Sequence, residues 1–546
     1  MNLLYENLND IKLVFRNFLK WFVLSSISGI GVGTVITLFL KSLQYATNVR
    51  ENNEWMLYLL PFGGALVSYL YFKYGKDSSK GNNLIIERIN EGKGNVPFRM
   101  APLVFFGTFI THLFGGSAGR EGTGVQIGAS ICARIGEILK LNKLDLTIII
   151  TSGVSSGFGV VFGTPIAGTI FGLEVSSIGK MRYEAIIPCL ISSYIGNYIA
   201  TLFNVQHSHY HMVDVSSKDP VIFYKVILCA ILFGLVSKVF AEFTHFLKKV
   251  FSDKIQNTSV KSFIGGIIII ILILLIGNRM YLGLSLELLE KSFESPVIPY
   301  AFIIKLLLTS ITLATGFQGG EVTPLFVIGA TLGNFLANIV GLPISFLAGI
   351  GMIGVFCGGT KTPLASFVMG LEIFGGGNIK YIFVACVISY VFSGKSGIYT
   401  SQNKEKLLPY LKKHNSFIFL LWVGMGIFQV HINKFMNMHK ANMFAYNGID
   451  LMGIQKIIVC LFFVGLFYKI QDKKWIFIEK PLSLLADYSF PIFFIHNYFI
   501  LITKYFLEKY NFTLNFSYLG LIFFTTYICI LSMIFTKIIK LIFKKN

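Results

Sequence analysis

A run of small residues, Gly115-Gly116-Ser117-Ala118-Gly119, leads into Arg120-Glu121-Gly122-Thr123-Gly124 and then Val125-Gln126-Ile127-Gly128. The apolar runs Val104–Phe114 and Ile127–Ala133 flank it, so a charged turn lies at or near membrane depth. A carboxylate is costly there and is tolerated where irregular backbone lines a wet cavity walled by protein, which makes Glu121 a candidate for ion or proton handling. Glycines permit unusual backbone angles and close approach. The helix that follows would present free N–H groups and the positive end of its dipole, a ready site for an anion. Glu121 would be the anion already built in, seated there when charged and leaving when protonated. The competing reading is close helix packing with an interfacial Arg-Glu pair.

A second copy favours the first reading. Gly316-Phe317-Gln318-Gly319-Gly320-Glu321-Val322-Thr323-Pro324 repeats the turn, with Gly128-Ala129-Ser130 over Gly329-Ala330-Thr331 at an offset of 201 (329 − 128). Thr164-Pro165 is matched by Thr362-Pro363 at an offset of 198 (363 − 165), and in each copy a glutamate, Glu174 or Glu372, lies nine residues past the proline. Paired interrupted segments in corresponding halves point to a transport site at a repeat interface. The two turns are expected to meet near mid-membrane, each bringing a helix N-terminus, with Glu121 and Glu321 facing one small cavity.

The elements that must hold such a site are membrane helices. Of 546 residues, 54% are hydrophobic, and apolar runs recur from Trp21–Leu40 through Ile382–Phe392 and again after Phe417. Some reach the length of about 20 residues that a spanning helix needs, while others are short or broken by Gly and Pro, which predicts discontinuous helices. The first run is too long for a secretory signal and reads as the first membrane helix. The net charge of +20 sits in loops and at ends, such as Lys248-Lys249, Lys412-Lys413 and Lys473-Lys474. Membrane orientation and anionic headgroups explain it better than a nucleic-acid partner. The seven cysteines stand in or beside apolar runs without a C-x-x-C, as packing residues rather than disulfide or zinc ligands.

Together, Gly-Arg-Glu-Gly, Gly-Gly-x-x-x-Pro and the two Pro…Glu segments make residues 10–410 resemble the chloride-channel (CLC) family of anion channels and proton-coupled exchangers. Thr123 stands where chloride members usually carry proline. Glu321-Val322-Thr323-Pro324 replaces an apolar loop, and Gly81-Asn82-Asn83 replaces the segment with the anion-coordinating serine. These departures are similar to the fluoride-exporting branch. The resemblance implies that Glu121 is the gating glutamate that exchanges places with the anion and carries protons. It further implies that Asn82, Gly119, Arg120, Gly122, Thr123, Glu321, Val322, Thr323 and the pore tyrosine Tyr399 line the anion path, and that the protein is a homodimer with a pore in each subunit. Val175 falls where proton-coupled chloride members hold an inner glutamate, which leaves the inner proton route unexplained.

Other polar residues have plainer readings. Ser78, Ser79 or Asn82 could cap a helix, which is the better account of that turn alone, although the asparagine amides could also donate to an anion. Glu174 and Glu372 are expected to pair with backbone or with loop Lys and Arg. His112 reads as packed and hydrogen-bonded, and His207, His209 and His211 as incidental rather than a metal site. Beyond Lys413 about four further apolar spans follow, and Leu484–Asn497 weakly resembles a late helix of the membrane acyltransferase-3 family, whose catalytic histidine would lie in a part this chain lacks.

The reading is thus an all-α integral membrane protein of the plasma membrane: a transporter domain with an inverted repeat of broken helices over 1–410, and a bundle of about four helices over 414–546. Fluoride export in exchange for protons is the expected activity, with no cofactor, no metal and no enzymatic step. A passive chloride or fluoride channel, or a chloride/proton exchanger, would share the fold; a membrane acyltransferase is the more distant alternative.

Overall fold

The computed structural model describes residues 2–402 except Lys93, His209 and residues 216–219. These belong to the first of two units in the chain, Met1–Glu405. The expected four-helix appendage over 414–546 lies outside the described residues.

The repeat seen in two motifs extends through the whole unit. Eight helices of the first half are matched in order by eight of the second among the described residues: α1 (Asn2–Asn52) by α9 (Pro220–Lys254), α2 (Leu60–Leu70) by α10 (Thr258–Ile276), α3 (Asn82–Glu91) by α11 (Leu286–Glu294) and α4 (Met100–Leu113) by α12 (Ala301–Ala314). Then α5 (Glu121–Ile138) is matched by α13 (Val322–Val340), α6 (Lys143–Phe162) by α14 (Ile344–Thr360), α7 (Pro165–Glu174) by α15 (Pro363–Phe374) and α8 (Ile186–Leu202) by α16 (Ile379–Phe392). Helices α4 and α12 agree residue for residue at the offset of 201 (301 − 100).

Packing obeys the same two-fold relation. Helix α5 packs on α6 as α13 packs on α14, and α1 packs on α8 as α9 packs on α16, while α2 meets its own counterpart α10 and α7 meets α15. Seven helical stretches among the described residues are long and apolar enough to cross a bilayer. The ten residues of α7 rise only about 15 Å, half a hydrocarbon core.

The breaks have local causes. Helices α4 and α12 end where Gly115 and Gly316, equivalent by the repeat, take φ of 91° and 103°, a region open to glycine at little cost. Helices α6 and α14 each end on a left-handed residue, Gly163 or Lys361, and two residues later a proline in the first turn starts the next helix without losing a needed N–H. Lys361 has no glycine's freedom at φ 61°; its ammonium is held by Ser393 Oγ at 2.5 Å and the Gly394 carbonyl at 2.8 Å. Across the core, α5 and α6 touch backbone to backbone: a methyl added at Gly124 would come within 2.9 Å of the Gly157 carbonyl.

Candidate functional site

The two Gly-rich turns meet, as expected. Gly119 N donates to the Gly320 carbonyl at 2.7 Å and Gly320 N donates to the Gly119 carbonyl at 2.8 Å. This antiparallel pair joins two residues that the repeat equates (320 − 119 is again 201), so the two-fold axis passes through it. From it α5 and α13 lead away with their N-termini side by side.

Glu121, the first residue of α5, sends its carboxylate across the axis. Oε1 accepts from Val322 N at 2.5 Å, and Oε2 accepts from Thr323 Oγ1 at 2.7 Å and from Arg120 N at 2.9 Å. The side chain is 1% exposed. Three donors, two of them backbone N–H groups at helix starts, replace the water that a carboxylate loses on burial. A methyl on Gly320 would overlap this carboxylate, so the second turn needs glycine at that position for close approach.

Two vestibules reach the axis. One, about 700 Å³, ends at Arg120 and is lined by Arg50, Leu282, Ser285 and Asn204 among others. The other, about 650 Å³, ends at Glu321 and includes Asn82, Gln126, Lys248 and Tyr399. Arg120 and Glu321 are repeat equivalents, as the N-caps of α5 and α13. Glu121 follows the one and is bonded to the residue after the other, so it stands between the two spaces.

Most of the expected residues gather here. Asn82 and Tyr399 border both the Glu321 vestibule and a small slot that ends at Val125 and Val175. The Asn82 amide lies against the α5 N-terminus, 2.9 Å from where a Gly122 methyl would stand, and its buried Oδ1 has no partner. The capping expectation fails in this turn: Gly81 is the N-cap of α3 at φ 58°, no side chain caps the helix, and Ser79 bonds the Lys76 carbonyl instead. Asn82 falls one position too late to cap. Thr123 lies apart from the other candidates; its hydroxyl shares a 2.6 Å bond with Thr108 of α4, and it lines neither vestibule. Glu321 borders its own vestibule rather than the seat of Glu121, so the two carboxylates, one from α5 and one at the start of α13, do not share that seat.

Glu174 and Glu372 do pair with backbone, each with the other's helix. Glu174 accepts from Leu364 N at 3.2 Å and Ala365 N at 2.8 Å, while Glu372 accepts from Ile166 N at 3.0 Å and Ala167 N at 2.6 Å. His112 is fully buried, its Nε2 facing the Gly119 carbonyl at 3.4 Å.

Comparison with known proteins agrees with this geometry. The family model described as voltage gated chloride channel matches residues 63–394. A protein named chloride/fluoride channel protein, from Pseudomonas syringae pv. tomato, is 41% identical over 389 residues, covering 70% of this chain and 86% of that protein. The chain belongs to the CLC family. Its architecture matches a crystal structure of a CLC-type fluoride/proton antiporter at TM-score 0.69 and 34% identity, over 71% of this chain and 98% of that one. A slow cyanobacterial chloride/proton antiporter shares the CLC fold at TM-score 0.61 and 22% identity, over 70% of this chain and 96% of that one. CLC proteins are membrane transporters or channels and not enzymes, and this chain is an anion transporter of that family. Sequence reasoning missed the Gly119–Gly320 pair, which the offset of 201 signals, and the buried Lys305 of α12, whose oxygen partners come from segments distant in sequence.

Proposed function

We propose that the protein exports fluoride across the plasma membrane in exchange for protons, and that Glu121 performs the exchange. The observation that carries this reading is the seat of the Glu121 carboxylate: Val322 N, Thr323 Oγ1 and Arg120 N converge on it between two vestibules. A small anion can use those same donors once the side chain leaves. Protonation removes the charge that holds the carboxylate there, so proton uptake and anion entry are coupled by competition for one place.

Fluoride fits the donors that surround the seat. It is small and strongly hydrated, and a site that selects it must replace water with several hard hydrogen-bond donors, such as hydroxyls, amides and backbone N–H groups. Thr323, Asn82 and Tyr399 are of that kind, and the relative described as a fluoride/proton antiporter supports the choice. Gly119, Gly122, Val322 and Arg120 supply backbone close to the anion, Thr123 supports the start of α5 from behind, and Glu321 faces the second vestibule as a further proton carrier. The protein acts as a homodimer, as the family resemblance implies, with residues 414–546 as a separate membrane unit.

The name of the Pseudomonas relative favours a second reading, a passive pore for chloride or fluoride. Flux in liposomes separates the two. An outward fluoride gradient should drive protons inward against their own gradient, with chloride a poor substitute; fluoride flux that leaves protons unmoved would establish the passive pore.

A further inference from the structure

Lys305 is a fully buried lysine at the start of the second turn of α12, and among the described residues no carboxylate lies within ion-pairing distance of it. Its ammonium is surrounded by neutral oxygens: Ser285 Oγ at 2.8 Å, the Gly283 carbonyl at 2.9 Å, Ser117 Oγ at 3.0 Å and the Tyr281 carbonyl at 3.3 Å. A buried charge without a counter-ion is costly in a membrane protein, and such residues face functional cavities.

The loop that wraps it is shaped for the purpose. Gly283 and Ser285 take φ of 57° and 58°, and Ser285, the N-cap residue of α11, does not cap that helix; its hydroxyl serves Lys305. On the other side the contact is with the Gly-rich turn. Ser117 Oγ meets Thr309 Oγ1 at 3.0 Å as well as Lys305, and Ser117 N donates to Thr312 Oγ1 at 3.2 Å. Lys305, Thr309 and Thr312 stand at i, i+4 and i+7, one stripe of α12, and all three grip one residue. Ser117 lies two positions before Gly119, whose pair with Gly320 aims Glu121.

At the repeat-equivalent position in α4 stands Val104, also fully buried. The charge is therefore present in one half only, on the side whose vestibule contains Leu282, Ser285 and Arg120. The fold alone does not call for it, because the other half builds the same helix packing with valine.

We propose that Lys305 is a positioning residue for the exchange: through Ser117 it fixes the Gly115–Arg120 turn, so that Glu121 can reach its seat on α13 and return to it. The inference rests on the fluoride/proton reading above. Without the tether the carboxylate closes its seat less reliably, and fluoride passes without its protons.

The test uses the full chain in liposomes and reads protons moved per fluoride. Lys305→Met should lower that ratio at least two-fold, and Ser117→Ala should lower it less. The double variant should fall no further than Lys305→Met, the non-additivity expected of residues that act through one another. Lys305→Arg, which keeps charge and donors, should stay at the wild-type ratio. A wild-type ratio in both Lys305→Met and Ser117→Ala would overturn the proposal whatever their rates, and Ser117→Ala decides alone if Lys305→Met does not fold. Should the wild type itself move no protons, the antiport reading fails, and the positioning role is then judged by fluoride rate: slower flux in both variants supports it, equal flux refutes it.

Discussion

At the ends of α7 and α15 the two halves of the repeat do the same thing twice: Glu174 caps the start of α15 and Glu372 caps the start of α7, with two backbone N–H groups to each carboxylate. At the starts of α5 and α13 they do opposite things. Arg120 faces Glu321 across the axis in the repeat, and Glu121 faces Val322, so one half supplies a carboxylate where the other supplies only a backbone donor. The symmetric carboxylates hold two helices together. The asymmetric one occupies a site built mainly by the other half, from Val322 N and Thr323 Oγ1 with Arg120 N of its own, which is what a displaceable plug requires.

That contrast can be broken at several points. Glu121→Gln removes the charge at the centre, and it should abolish proton movement coupled to fluoride, a loss of at least tenfold on the scale of general acid–base contributions (about 10² or more). An unchanged proton-to-fluoride ratio in this variant would mean the asymmetry is ornamental. Gly320→Ala comes next. The added methyl overlaps the Glu121 carboxylate and lies within 2.8 Å of Gly122 N, so flux should fall more than about tenfold while the protein still folds, as monitored by size-exclusion chromatography. Thr323→Val takes away the one side-chain donor at the seat. A hydrogen bond to a charged group is worth about 1.5–3 kcal/mol, so a slowing of exchange by roughly 10- to 150-fold is the upper range, with the low end expected in the same flux assay.

The smallest effects belong to the symmetric pair. Glu174→Gln and Glu372→Gln each exchange a charged acceptor for a neutral one at a helix N-terminus, a loss of about 1–2 kcal/mol visible as a lower melting temperature in detergent. Glu174, 5% exposed, should cost more than the less buried Glu372. Neither should change the proton-to-fluoride ratio. A shift in that ratio would place the peripheral helix pair in the exchange and give the symmetric and asymmetric carboxylates one role.

Much of this was legible in the amino-acid order because it rests on residue types that few other arrangements use. Glycines on both sides of Arg120-Glu121, with a second turn 201 residues on, require two broken helices, and the proline at the start of α7 and of α15 marks where each begins. The pairing of Glu174 and Glu372 with backbone was anticipated; that each serves the other's helix was not, because only the fold brings residues 190 or more apart to one place. Asn82 misled as a cap because capping depends on a shift of one residue, which a polar turn such as Ser78–Asn83 does not reveal. Lys305 was invisible for a different reason. A single lysine in an apolar run resembles a helix end, and its neutral oxygen partners come from segments distant in sequence, Ser117 and Tyr281–Ser285.

Competition between the Glu121 side chain and fluoride for the start of α13 is the central claim, and equilibrium binding tests it without depending on flux. Fluoride titrated into purified wild type and Glu121→Ala at neutral pH should bind the variant more tightly, by tenfold or more, because its seat at Val322 N and Thr323 Oγ1 is no longer filled. Equal or weaker binding by the variant would contradict the account and make Glu121 a ligand or a fixed structural anchor rather than the anion's rival.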